Sequence, residues 1–91
     1  MPEVLFTIQL PGWETHECYS PSTVVRQYFA SGEEMPAAEF LTRSRKAMAE
    51  ASERVRARHG FACTSAAAQL ASIEQWLRDC PGDGIVRILS I

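Results

Sequence analysis

The first residues that could do chemistry are His16 and Cys18, within "HECYSPSTVV" (residues 16–25). On an extended strand, residues two apart face the same way, so an imidazole nitrogen and a thiolate sulfur could meet one metal ion. A metal site needs three or four ligands, and His59 and Cys63 would have to fold back to complete one. With two ligands at this spacing, His16 and Cys18 are a weak metal pair. The plainer reading is a half-exposed strand face carrying a small buried thiol.

A reactive thiol is the second candidate. Cys18 and Cys63 each stand just before an expected helix start, where free amides and the helix dipole favour a thiolate. A nucleophile also needs a base, and the chain has 2 histidines, His16 and His59. The apolar setting of Cys63 in "GFACTSAAA" acts in the opposite sense and raises a thiol pKa. The third candidate is the basic end of a long helix, where Arg54, Arg58 and Arg43 could grip a carboxylate or phosphate. Acids lie near each of them, which favours a solvated helix face. Glu33-Glu34 reads as a solvated loop. No Ser-His-Asp order, phosphate-cradling glycine loop or paired-carboxylate signature stands out, so the residues lean away from an enzyme and imply no cofactor.

The elements that must position these residues belong to a small protein. A chain of 91 residues corresponds to one domain, 1–91. It is 46% hydrophobic and 22% charged, the balance of a chain that folds and not of a disordered tail. A net charge of −2 supplies no general attraction to nucleic acid or anionic membranes. No aromatic residues interleave with the arginines as they do in strand-binding proteins. No apolar run approaches the roughly 20 residues that span a bilayer. "MPEVLF" lacks the basic-then-apolar order of a signal peptide, so the expected location is cytoplasmic. The 3 cysteines, Cys18, Cys63 and Cys80, form no C-x-x-C pair and are expected as free thiols.

"EVLFTIQL" alternates as a strand, with Val4, Phe6, Ile8 and Leu10 on one face. Pro11-Gly12 then turns the chain, glycine being the residue that tolerates φ > 0, and "WETHECY" returns as a second strand. Glu14, His16 and Cys18 share one of its faces, and Trp13, Thr15, Glu17 and Tyr19 the other. "SPSTVVRQYF" reads as a short helix capped by Ser20 with Pro21 at its first position; β-branched Val24 and Val25 leave an extended segment open. "ASGEEMP" reads as a loop, with Gly32 ending that helix. "PAAEFLTRSRKAMAEASERVRARHG" is the clearest helix: Leu41, Met48, Ala51 and Val55 keep helical spacing, and Gly60 suits the C-cap. A further helix, capped by Thr64 or Ser65, carries the stripe Ala66, Leu70, Ile73, Leu77 with Trp76 at its edge. "IVRILSI" is a last strand, apolar enough on both faces to lie inside a sheet.

The expected fold class is therefore α+β: an N-terminal β-hairpin, two or three helices and a C-terminal β-strand, forming a three-stranded sheet with helices packed on one face. The last strand is expected beside the first. Such a sheet leaves Leu5, Tyr19 and one face of "IVRILSI" uncovered. An apolar sheet face of that kind marks an interface, with a homodimer or a partner protein as its occupant.

"CYSPS" (residues 18–22), "EFLTRSRKA" (39–47) and "ASERVRARHGFACTSAAAQLASIE" (51–74) resemble a family of small bacterial nitrogen-starvation response proteins. The resemblance extends to "MPEVLFTI" and covers nearly the whole chain. It implies no established biochemical activity. It implies genes for a nitrilase, a radical S-adenosylmethionine protein, an acetyltransferase and a flavin oxidoreductase as neighbours, one of which would supply an enzyme partner. His59 stands where members often carry tyrosine, and Thr64 where serine is common; the first change puts an aromatic packing role in doubt, and the second keeps a capping hydroxyl. The residues singled out are Cys18, Tyr19, Ser20, Ser22, Glu53, Arg54 and Cys63, together with Ser52 and Phe61. The expected role is a non-catalytic accessory or protein-interaction module, with a small-molecule binder or enzyme using Cys18 or Cys63 and nearby arginines as the alternative.

Overall fold

A computed structural model of the protein describes residues 3–60, 64–80 and 83–91, apart from the His59 side chain. Strands β1 (Val4–Gln9) and β2 (Thr15–Ser20) are followed by a short 3₁₀ helix (Thr23–Gln27), strand β3 (Glu34–Pro36), helices α1 (Ala37–His59) and α2 (Thr64–Arg78), and strand β4 (Ile85–Ser90). The sheet has four strands in the order β2-β1-β4-β3, and every neighbouring pair is antiparallel. The α+β class holds, and β4 lies beside β1 as expected, but the sheet is one strand wider than the expected three. The added strand is β3, drawn from the segment read as a loop. Its three residues pair with Ile85, Val86 and Arg87, and Met35 carries it into the core. Gly32, at φ 85°, does not end a helix; its amide donates to the Ile88 carbonyl at 2.7 Å and turns the chain into β3.

Alternation decides the two faces of the sheet. Val4, Phe6 and Ile8 of β1, Cys18 of β2, and Val86 and Ile88 of β4 point into the core. They meet Phe40, Ala47 and Met48 of α1 and Ala66, Ile73 and Leu77 of α2, so both helices cover one face. Phe29, just after the short helix, bridges the layers, its ring 6.1 Å from Phe6 and 5.3 Å from Phe40. Between β1 and β4 the register slips: Ile8 faces Ile88 while Thr7 faces Ser90, which leaves Leu89 as the extra residue of a bulge.

Helix α1 begins without a side-chain cap. Pro36 fixes the approach, and the Ala37 amide donates to the Gly84 carbonyl at 2.7 Å, satisfying one of the free first-turn donors. It ends as expected on Gly60 in the left-handed conformation, φ 81°, whose amide donates to the Arg56 carbonyl. Among the described residues no helix is long and apolar enough to cross a membrane.

Candidate functional site

His16 and Cys18 do share a face, and the structure gives each a separate neighbour. The His16 ring stacks on the Trp76 indole of α2, centroids 3.9 Å apart and planes 13° from parallel. Its Nε2 is buried and makes no hydrogen bond among the described residues, although Glu14 Oε2 lies 3.5 Å away. Cys18, one strand position inward, belongs to the core cluster. Burial, and then the neighbouring Glu17 carboxylate, pushes its thiol up to about 12, so it is not an activated nucleophile. Among the described residues no three histidine, cysteine or acidic side chains converge as metal ligands. Cys63 and Phe61 lie outside the described residues.

The segment "YSPS" is a buried splice between β2 and the short helix. The Tyr19 amide donates to Gln69 Oε1 of α2 at 2.8 Å. Ser20 is the last strand residue and not the helix cap: its hydroxyl donates to the Ser22 carbonyl at 2.8 Å and accepts from the Ser22 amide at 3.3 Å. Ser22 is the N-cap, its hydroxyl accepting from the Val24 amide. The chain must first leave the sheet, and extended Ser22, at φ −143°, is where it turns into the helix.

The charged candidates on α1 lie on its outer surface. Glu53 accepts from Arg56 Nε at 3.1 Å and from its Nη2 at 2.6 Å, which holds its carboxyl below the usual range. Arg54 lies 4.0 Å from Glu50, and Glu50 accepts the Tyr28 hydroxyl at 2.7 Å, raising the pKa of that phenol. Ser52 is half-buried in the groove between α1 and α2, with Met48, Ala66 and Leu70. Arg43 is a structural clamp. It donates to the Tyr28 carbonyl at 3.1 Å, to Glu33 at 2.8 Å and to Glu39 at 3.0 Å. Glu33-Glu34 is solvated as expected but not wholly a loop: Glu33, ahead of the strand, is held by Arg43, and Glu34, on β3, pairs with Arg87 across the strands at 3.0 Å.

A residue that sequence reasoning placed on β2 proves to be in the turn before it. Leu10 and Glu14 close the hairpin, the Leu10 amide donating to the Glu14 carbonyl at 2.7 Å and the Trp13 amide to the Leu10 carbonyl at 2.9 Å. The left-handed position of such a three-residue turn normally takes glycine. Here it is Trp13, at φ 72°, and not Gly12. A bulky residue in that region stores strain of about 1–3 kcal/mol, and such outliers cluster at functional sites. Two clefts flank this turn and share Leu10 and Pro11. The helix-side cleft, about 510 Å³, is lined by Glu14, Trp76, Asp79 and Cys80. The other, about 380 Å³, lies on the uncovered face and is lined by Trp13, Glu34, Asp83, Ile85 and Arg87.

A family model described as nitrogen starvation-induced protein NitG matches residues 5–91. The chain belongs to that family. No curated protein and no solved structure matches it. The matched span takes in every residue singled out from the sequence. In this chain Trp13, Trp76, Asp79 and Asp83 also line the clefts at this end of the fold. The signal that could have found Trp13 was its place in a Pro-Gly-Trp hairpin turn, where a large aromatic residue has no packing reason to be.

Proposed function

We propose that this NitG family member is a non-catalytic accessory module of the nitrogen-starvation response, working by contact with another protein, an enzyme encoded beside it. The single observation behind this reading is the uncovered sheet face. Leu5, Ile85 and Leu89 are 57, 46 and 40% exposed there, and Trp13 at its end is 77% exposed, while both helices occupy the opposite face. Exposed apolar residues gathered on one surface mark contact sites more often than scattered ones do. The chemistry of the candidate residues points the same way: Cys18 is buried and hard to ionise, Ser20 and Ser22 hold a chain splice, and Arg43 is fully engaged by its own fold.

The test is light scattering after size exclusion, with the protein alone and mixed with each neighbouring enzyme. Co-elution lost on Leu89→Asp supports the accessory role. A self-associated species lost on the same substitution identifies the occupant of the face as a second copy. A strictly monomeric protein that binds none of the enzymes rejects the reading.

A further inference from the structure

Both of the chain's 2 tryptophans stand at one end of the molecule, one on each side of the β1–β2 turn. Trp13 overhangs the cleft on the open face, and Trp76 lines the cleft on the helix side. The charge at this end is one-sided. The two clefts are lined by four carboxylates, Glu14, Asp79, Glu34 and Asp83, against the single guanidinium of Arg87, which Glu34 already engages at 3.0 Å. The net of −3 exceeds in magnitude the −2 of the whole chain. Among the described residues the one other titratable base beside it is His16, stacked on Trp76 next to Glu14; Arg78 lines a different cleft, with Arg45 and Glu74. Cys80, partly buried in the lining of the helix-side cleft, sits in the same field: burial first, and then Glu14 and Asp79, raise the pKa of its thiol.

An aromatic face with carboxylates beside it is the chemistry that holds an arginine or lysine side chain. The cation lies over the ring, the carboxylates take its hydrogen bonds, and its methylene stem packs on apolar residues such as Leu10 and Ile85. Trp13 takes this place from the left-handed position of the turn, φ 72°, and is 77% exposed at the cleft. We infer that the paired clefts flanking the β1–β2 turn form a docking site for a cationic, arginine- or lysine-bearing segment of a partner protein. This inference rests on the accessory-module reading and names the chemistry of the partner; one of the two clefts continues the open face through Trp13, Ile85 and Arg87.

The test uses isotopically labelled full-length protein and a blocked hexapeptide of alternating alanine and arginine, with the citrulline counterpart as the neutral control. Amide shifts are expected within residues 10–14, 76–80 and 83–87. Dissociation constants should rise about tenfold or more for the citrulline peptide, for the double variant Asp79→Asn/Asp83→Asn and for Trp13→Asn. Glu17→Gln, a carboxylate removed elsewhere on the same sheet, should leave affinity unchanged. Equal binding of the citrulline peptide, shifts confined to another surface, or indifference to the acidic double variant overturns the site. A complex with a neighbouring enzyme that survives the acidic variants but not Leu89→Asp overturns this inference and leaves the accessory role standing. A monomer that binds no such enzyme yet takes the arginine peptide here upholds the site and counts against that role.

Discussion

His16 and Trp76 lie face to face, rings 3.9 Å apart and nearly parallel, and this stack joins the free-edge strand β2 to the last turns of α2. A pair of this kind adds about 0.5–1.5 kcal/mol beyond the area it buries. A double-mutant cycle with His16→Ala and Trp76→Ala should return a coupling energy in that range by urea unfolding. A coupling indistinguishable from zero would show the rings to be neighbours without being partners.

Cys18 carries a stability signature in alkali. Its thiol titrates at about 12 in the fold, raised mainly by burial, against an ordinary value of 9.0. The folded state therefore holds its proton more tightly than the unfolded chain does. The contribution is fully present below the ordinary value and is lost as pH climbs towards 12, at about 1.4 kcal/mol per pH unit in that window. Stability of the parent should fall more steeply between these values than that of Cys18→Ala. At pH 8 the thiol should resist alkylation until the protein is unfolded.

The clamp made by Arg43 acts at the other end of the pH scale. Its guanidinium holds the Glu33 carboxyl below the usual carboxylate range. Stability from this pair is present above the unfolded pKa and lost as acid protonates Glu33. Arg43→Met should cost about 1 kcal/mol at neutral pH, a modest figure because both side chains are about a third exposed, and it should flatten the acid limb of the stability profile. An unchanged acid limb would mean that other carboxylates dominate it.

Trp13 should be easy to improve upon for stability alone. Asparagine tolerates the left-handed region far better than a large aromatic residue does, so Trp13→Asn should leave the fold intact and raise stability by about 1 kcal/mol. A raised urea midpoint with an unchanged slope is the expected result. A lowered midpoint would show that the indole is held by packing and not against strain.

Ser44 offers the opposite kind of check. It lies fully inside α1's buried face, and its hydroxyl has no hydrogen-bond partner among the described residues. Removing an unsatisfied buried hydroxyl should be neutral or stabilising by up to about 1 kcal/mol, so Ser44→Ala should not weaken the protein. A loss of 1 kcal/mol or more in thermal or urea unfolding would reveal a partner for that hydroxyl.

Periodicity carried most of this fold. The two-residue alternation of β1 and β2 placed His16 and Cys18 on one face, and the stripe of α2 put Trp76 at its edge. What no single stretch could show is that those two edges meet, because the meeting depends on how α2 lies across the sheet. Strand β3 was hidden for a different reason. Glu34-Met35-Pro36 is short, polar at one end and closed by proline, and it becomes a strand only because β4 offers it a partner. The two serines of "YSPS" are equally good caps on composition; Ser22 wins because Ser20 is still paired with Val4 in the sheet. Trp13 was misplaced since glycine, one residue earlier, is the usual occupant of the position it holds.

The margins of the sheet carry a further consequence. One outer strand is only three residues long and ends in Pro36, and the other has its Tyr19 amide already taken by Gln69. Strands guarded in this way are poor templates for growth by strand addition. A protein that leaves apolar residues bare on its broad side, yet blunts both rims, can stay dispersed at high concentration and still present that side to a partner. Concentrated solutions should accordingly show reversible association at most, without the thioflavin-positive fibres that an open rim would seed.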